Sequence, residues 1–434
     1  MKTDFNETEV GLIPNDWNTK LLNNIFKIVT GNTPPTFDRS YYNGDIPFIG
    51  PGDLGENRNI YNSEKKLSEK GYAISRKIPK NSILVTCIGS TTGKTGITTK
   101  PSATNQQINA LLPNEFINQF FVYYYLSLIS RKIRSMASEQ AVPLLNKNDF
   151  GQLAIPLPPT LSEQQAIATV LSDNDAWIES LEAQIEKKKL IKQGTMQELL
   201  TGKRRLPGFG EGKGWKDSEV GRIPEDWEVK KLGDVFNISG GYSASREQLG
   251  EKGLFYLHYG DIHLSQKTYI CTEIDYSRIP KLDVALNGIS KATLLIDGDV
   301  VFVDASEDMI GTSRYVVVRN KKNHNFLSGL HTIVAKEKTK TLDNLFKEYV
   351  FQNERVKFQF CYYAVGTKVS GISKSSIKKI NFPIPPTLAE QEAIANILSE
   401  MDEEIEVLEK KVEKAKGIKQ GLMQVLLTGK IRLV

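Results

Sequence analysis

The chain's 434 residues carry 56 Lys and Arg against 51 Asp and Glu, a formal net charge of +5, with 40% apolar and 25% charged side chains. These proportions belong to an ordinary globular protein long enough for several domains, and they exclude a low-complexity or disordered chain. No apolar run reaches the 18 or so residues of a membrane span, and the modest positive charge permits a polyanionic partner without requiring one.

The polar start MKTDFNETEVGLIP lacks the apolar stretch of a secretory leader. Cys87, Cys271 and Cys361 are widely spaced, as reduced thiols of a cytoplasmic protein would be. Val10 to Gly31, VGLIPNDWNTKLLNNIFKIVTG, leads into a block of mixed character over about 32–154. Within it IPFIG (46–50) and SILVTCIG (82–89) read as strands, and Phe116 to Met136 as an amphipathic helix. GSTTGKT (89–95) resembles a phosphate-cradling loop, yet it has three residues between its glycines where four are needed. ITTKPSATN follows it, where a helix N-terminus must face phosphate.

PLPPTLSEQ (156–164) then opens a long helix. Thr160 is a good N-cap and Glu163, three residues on, completes a capping box. Leu171, Ile178, Ile185 and Leu199 recur on one seam, with Ile167 and Leu181 on the other, which Asn174 and Lys188 interrupt. The helix runs to Thr201-Gly202-Lys203, where glycine supplies the C-cap. At 1.5 Å per residue that is a rod of about 60 Å. The basic runs Lys187 to Lys189 and Lys203 to Arg205 read as solvated helix surface, with phosphate contact as the alternative.

From Val220 the chain repeats itself. VGRIPEDWEVKKLGDVFNISGG (Val220 to Gly241) restates the first segment, and Phe382 to Leu433 matches Ile155 to Leu206 at 33 of 52 positions. Between them DVVFVDA (299–305) and RYVVVR (314–319) read as strands and Leu342 to Gln359 as an amphipathic helix. In the last helix Ile394, Met401, Leu408, Ala415 and Leu422 form one seam, and Leu398, Ile405, Val412 and Leu426 the other, broken by Lys419. Trp17 recurs as Trp227, 210 residues on, but Gln164 as Gln391, 227 residues on, so the second variable block is longer by 17. ILVTCIGS (83–90) and VVFVDASE (300–307) fall at matching places, so they are one element seen twice and not the two halves of a nucleotide site. Each long helix needs a partner for its apolar stripe. The two copies, related by an internal pseudo-twofold, would pack antiparallel; docking of each on another protein or a homodimer is the alternative.

His258, His263, His324 and His331 all lie in the second block, and His258 and His263 with Asp261 between them have no cysteine at ligand spacing. They read as loop or core residues, with no metal site. No cofactor fingerprint, nucleophile elbow or clustered catalytic carboxylates appear, so no catalytic residue is assigned and the chain reads as a binder.

The two PxPPTLxEQ-to-LLTGKxRL frames and the two VGxIPxDWxxxxL openings resemble the specificity subunit of type I restriction–modification enzymes, over Val10 to Val434. IKQGLMQVLLTGKIRL (418–433), its earlier copy IKQGTMQELLTGKRRL (191–206), and GDIPFIGPGDL (44–54) carry the resemblance. In the second block only GDI of GLFYLHYGDI (253–262) survives from the last of these.

The resemblance implies a mixed α/β (α+β) fold: two target-recognition domains with pseudo-twofold symmetry, separated by two long antiparallel coiled-coil helices. The domains would be 1–154 and 207–381, and the helical spacers 155–206 and 382–434. It implies a sequence-specific, non-catalytic DNA-recognition subunit that reads a bipartite, asymmetric target in double-stranded DNA. The helices would set the half-site spacing and dock two modification (methyltransferase) subunits, with restriction/translocase subunits joining. This chain would bind no cofactor; S-adenosylmethionine, ATP and Mg would sit on the partners.

Base readout favours Arg, Lys, Asn and Gln on loops, assisted by Ser and Thr. The candidates are Arg39, Thr91, Thr92, Lys94, Asn105, Gln106 and Gln107 in the first block, and Ser243, Ser245, Arg246, Arg314, Lys368 and Ser370 in the second. Interhelix or subunit docking falls to Leu171, Ile178, Leu181, Ile185, Leu398, Met401, Ile405, Leu408 and Val412. A scaffold whose inserts read protein and a nucleotide-driven enzyme built on the Gly-Lys-Thr loop are the competing readings.

Overall fold

In the computed structural model the described residues are 4–433, apart from 56, 139–141 and 367. They form two compact units, Met1–Ala183 with Glu409–Val434, and Gln184–Leu408. Each unit takes a segment of both long helices. Among the described residues no helix is long and apolar enough to cross a membrane.

In the first unit Asn18–Leu21 pairs antiparallel with Ala154–Leu157, so the chain enters and leaves the insert on adjacent strands. The insert holds a five-stranded sheet in the order Ile28–Thr30, Ile108–Leu111, Ile83–Thr86, Thr95–Thr98, Asn59–Ile60. A small sheet of Ala103–Thr104, Tyr42–Ile49 and Lys65–Leu67 joins it. Ile83 and Val85 face the cluster that contains the helices, while Leu84 faces the opposite one. Burial on both faces explains why ILVT is apolar throughout and does not alternate.

The second unit repeats the plan. Glu228–Lys231 pairs with Asn381–Ile384, and the large sheet runs Phe236–Gly240, Thr332–Glu337, Val300–Val303, Tyr315–Arg319, Tyr269–Cys271. ILVT and VVFV are thus the central strands of two separate sheets. GSTTGKT is the connection of an antiparallel hairpin, Ile83–Thr86 to Thr95–Thr98, with no helix after it.

The helices Leu161–Leu200 and Leu388–Leu426 begin where the Thr N-caps place them. Thr160 and Thr387 Oγ1 accept the amides of Glu163 and Glu390, each at 3.2 Å. The reciprocal half of the capping box is replaced: both glutamates go to arginines instead. The expected helix Phe116 to Met136 is two helices, Gln119–Leu128 and Ser130–Ser135, broken at Ile129 and capped by Asn118. Leu342 to Gln359 likewise divides into Asn344–Val350 and Glu354–Tyr363. Asn353 sits in that break, caps the second piece, and its Nδ2 donates to the Leu200 carbonyl at 3.1 Å, serving the end of the long helix.

Leu171, Ile178, Leu181, Ile185, Leu398, Ile405, Leu408 and Val412 are buried and Met401 is half-buried, so these side chains are spent within the units. Within the second unit Lys188 pairs with Glu404 at 2.6 Å and Lys192 with Asp402 at 2.5 Å. Within the first, Glu182 pairs with Lys416 at 2.9 Å and Asp175 with Lys419 at 2.5 Å. Rising numbers on one helix meet falling numbers on the other, which is antiparallel packing. Lys419, which interrupts the apolar seam, is neutralised by Asp175; the Tyr124 hydroxyl donates to that carboxylate at 2.6 Å. Lys192, Asp402 and Tyr349 make the same arrangement in the second unit, with Tyr349 donating at 3.0 Å.

The end of each long helix closes the other helix's unit. Arg205, after the first helix, binds Asp226 at 2.9 and 3.2 Å and Glu390 at 2.6 and 3.0 Å, and its guanidinium lies 5.7 Å from the Trp227 ring centroid. Arg432, after the second, binds Asp16 at 2.8 and 2.9 Å and Glu163 through Nε and Nη2, and lies 5.7 Å from the Trp17 ring centroid. Arg205 is therefore an internal tie and not a free phosphate contact. The hydrogen bonds from Arg432 and Arg205 hold the Asp16 and Asp226 carboxyls below their ordinary pKa, whereas burial pushes Glu390 up.

The chain reaches these arginines through Gly202 and Gly429, at φ +68° and +67°. A Cβ at Gly202 would overlap the Pro224 ring, and one at Gly429 the Pro14 ring. Only glycine satisfies both the left-handed turn and the close approach.

Arg432→Ala leaves the buried Glu163 carboxylate without its partner. It should cost about 3–5 kcal/mol in chemical denaturation, with Arg432→Lys recovering only part. A loss below about 1 kcal/mol would contradict this role.

Candidate nucleic-acid interface

In the first unit three turns leave the sheets together. Ile49 and Thr104 are neighbours on parallel strands, so Gly50–Asp53 and Asn105–Gln107 emerge side by side. The Asn105 amide donates to the Ile49 carbonyl at 3.2 Å, and the Cys87 amide to the Gln107 carbonyl at 2.8 Å. Gln107 Nε2 donates to the Ile88 carbonyl at 3.4 Å, and Asn105 Nδ2 to Gln107 Oε1 at 2.9 Å. Two further segments join: Thr33 Oγ1 donates to Gln106 Oε1 at 2.8 Å, and the Gly89 amide to the Pro143 carbonyl at 2.8 Å.

The second unit assembles the equivalent turns, with Leu257 beside Ser328 on parallel strands. The Gly329 amide donates to the Leu257 carbonyl at 2.9 Å, the Asp304 amide to the His331 carbonyl at 3.1 Å, and the Ile372 amide to the Asp304 carbonyl at 2.8 Å. Tyr256 holds the group from beneath. Its hydroxyl accepts the amides of Ala244 at 3.2 Å and Leu330 at 2.8 Å and donates to the Tyr242 carbonyl at 2.8 Å. Burial raises its pKa, so the phenol keeps the proton it donates.

Most of the residues chosen from sequence fall on these turns. Lys94 and Gln106 are exposed there, and Thr91, Asn105 and Gln107 half-buried. Thr92 is not available: it is buried, with its hydroxyl on the Gly89 carbonyl at 2.7 Å as a turn former. Arg39 is exposed but precedes the strand Tyr42–Ile49, at the opposite end from Gly50. In the second unit Ser243, Ser245, Arg246, Arg314 and Lys368 are exposed. Arg246 reaches Asp261 at 3.5 Å, and Arg314 donates to the His263 carbonyl. Ser370, expected on an exposed loop, is like Thr92 not available: it is buried on a short strand paired with Ser306.

The cluster also holds residues that the sequence places in loops or the core and not among the base-reading candidates. The Tyr259 ring lies 4.6 Å from His258, 5.9 Å from His263 and 5.3 Å from His331, and His331 Nδ1 is 3.1 Å from Asp304. His258 is a buried N-cap accepting the Gly260 amide, as a loop histidine would. Among the described residues no group of histidine, cysteine and carboxylate side chains could hold a metal. The available signal was positional: His331 precedes the strand TIVA as Gln107 precedes INAL.

Each insert is also tied to the frame through a glutamine at the head of a long helix. Gln164 Oε1 accepts the amide of Asn118, the cap of the first insert's helix, at 3.0 Å, and Gln391 Oε1 that of Asp343 at 2.9 Å. The arrangement offers exposed cationic and amide side chains on rigidly supported turns, chemistry suited to phosphates and base edges.

Residues 14–190 and 224–416 match the family model described as the type I restriction modification DNA specificity domain. The chain is 28% identical to the type I restriction enzyme MjaVIII specificity subunit of Methanocaldococcus jannaschii, covering 99% of this chain and 96% of that protein. It is 28% identical to the putative MjaX specificity subunit of the same organism, over 99% and 97%. Among solved structures it is similar to the type I restriction–modification S subunit from M. genitalium, with a TM-score of 0.53 and 16% identity over 98% and 99% of the two chains. A chain from a study of type I complex assembly and conformational transition gives a TM-score of 0.56 at 15% identity, over 96% and 99%.

Tyr256→Phe removes a hydroxyl shared by three backbone groups. It should cost about 1–3 kcal/mol and speed amide exchange at Ala244 and Leu330 in hydrogen-exchange mass spectrometry. Unchanged protection there would contradict the role given to Tyr256.

Proposed function

The chain belongs to the family of type I restriction–modification DNA specificity subunits, and from that premise we propose how its parts divide the work. It is the sequence-recognition subunit of a type I complex and supplies binding, not catalysis. Its inserts, within 1–154 and 207–381, each read one half of a split, asymmetric target in double-stranded DNA. The observation that carries this is the contrast between near-identical frames and inserts that share a fold but not their loop residues. A reader must differ where it meets base edges, and a docking surface must not differ where it meets the same partner twice.

The segments 155–206 and 382–434 are the docking elements for two modification subunits, with restriction/translocase subunits joining the assembly. S-adenosylmethionine, ATP and Mg belong to those partners, and the complex acts on cytoplasmic DNA. Exposed residues repeated between the two helices support docking in duplicate: Ile191 and Ile418, Gln193 and Gln420, Gly194 and Gly421. A Cβ at Gly194 or Gly421 would meet nothing within 4 Å, so nothing in this chain demands glycine there. A mid-helix glycine costs about 1 kcal/mol relative to alanine.

Three outcomes test the proposal. Exchanging residues 32–154 for the corresponding insert of a relative should change one half of the methylated motif only; a change in both halves, or in neither, contradicts it. Gly194→Ala should stabilise the chain by up to about 1 kcal/mol and weaken capture of a modification subunit in a titration; unchanged capture counts against that docking face. Affinity of the assembled complex for its target should fall steeply with salt, and Lys368→Ala should lower the log–log slope by about 1 without altering sequence preference. An unchanged slope removes Lys368 from the phosphate contacts.

A further inference from the structure

The strands Ile108–Leu111 and Thr332–Glu337 hold the same place beside the central strand of each large sheet, with Ile108 opposite Thr86 and Thr332 opposite Val303. The residues just before them, Gln107 and His331, are therefore structural equivalents. The backbone agrees: each offers its carbonyl to the residue that follows the central strand, Cys87 in one unit and Asp304 in the other.

The neighbouring positions do not share polar character. Asn105 corresponds to Gly329 and Gln106 to Leu330, so within this turn only the place of Gln107 and His331 carries a polar side chain in both units. Both side chains are also oriented by a polar neighbour. Gln107 is held by Asn105 and the Ile88 carbonyl. His331 is held by Asp304 at 3.1 Å and by the Tyr259 ring, and it keeps left-handed backbone at φ +57° with its side chain 49% exposed. By contrast the exposed Arg246 and Arg314 extend to Asp261 and to the His263 carbonyl.

We propose that this one position, Gln107 in the first reader and His331 in the second, is the specificity-determining side chain of each half-site. The proposal rests on the DNA-reading assignment above. Gln107 uses one amide hydrogen and one oxygen lone pair internally and retains one of each, the pairing that matches N6 and N7 of adenine in the major groove. In the tautomer that donates from Nδ1 to the Asp304 carboxylate, His331 offers Nε2 as an acceptor, which matches the exocyclic amine of adenine or cytosine.

The test uses the full chain assembled with its modification subunits, reading methylated motifs by methylome sequencing and folding by thermal unfolding. Gln107→Ala should relax one base pair of the first half-site by about tenfold or more and leave the second half-site unchanged. His331→Gly, which tolerates the left-handed backbone, should do the reverse. A folded variant with the wild-type motif at every position overturns the inference while leaving the two-reader assignment intact, and one that relaxes both halves overturns the inference and counts against independent readers as well. If either variant loses its unfolding transition, Gln107→Glu and His331→Asn replace them with the same expected pattern. A wild-type complex lacking a two-part motif would instead overturn the DNA-reading assignment itself.

Discussion

Arg432 holds together three parts of the chain that lie far apart in sequence, and Arg205 makes the corresponding tie in the second unit. Arg432 joins Asp16 and Trp17, near the start, to Glu163, at the head of the first long helix. Arg205 does the same for Asp226, Trp227 and Glu390. Each guanidinium meets two carboxylates, each through two of its nitrogens and one of them nearly buried, a geometry lysine does not reproduce. Because each arginine follows the end of the helix that starts in the other unit, each unit combines residues of both repeats: the first is built from 1–183 and 409–434, the second from 184–408. The constraint also accounts for the repeated Thr-Gly-Lys: the left-handed glycine turns the chain toward its arginine while lying against proline and tryptophan.

With the frame closed in this way, the inserts support it from their helices, through Tyr124, Tyr349 and Asn353. The entry and exit strands pair with one another, and Gln164 or Gln391 stitches the insert's helix cap to the frame. What remains variable is the set of turns at the ends of the sheet strands. Their backbones are tied by hydrogen bonds to each other, so side chains can change without moving the scaffold. Recognition built this way rests on amide, imidazole and cationic groups held on a rigid support.

Much of this was legible in the sequence because repetition doubles the signal. The Thr caps, the glycine C-caps, the antiparallel helix pair and the central strands 83–86 and 300–303 all follow from pattern and local chemistry. The failures have physical causes. Periodicity joined Gln119–Leu128 to Ser130–Ser135, and Asn344–Val350 to Glu354–Tyr363, since apolar spacing continues across a break that tertiary caps create. Glu163 and Glu390 looked like capping-box residues because an arginine more than 180 residues away in sequence cannot be seen locally. Thr92 and Ser370 were chosen for their chemistry, but burial is a property of the fold. His331 read as a loop or core residue because its equivalence to Gln107 appears only through strand register.

The central claim is that two independent readers on a shared frame each specify half of one DNA target. Methylome sequencing of a host that expresses this chain with its modification subunits tests it most directly. The account predicts one interrupted motif, with two specified, dissimilar halves separated by a gap of fixed length. A continuous motif, a palindromic one, or methylation without sequence preference would contradict it.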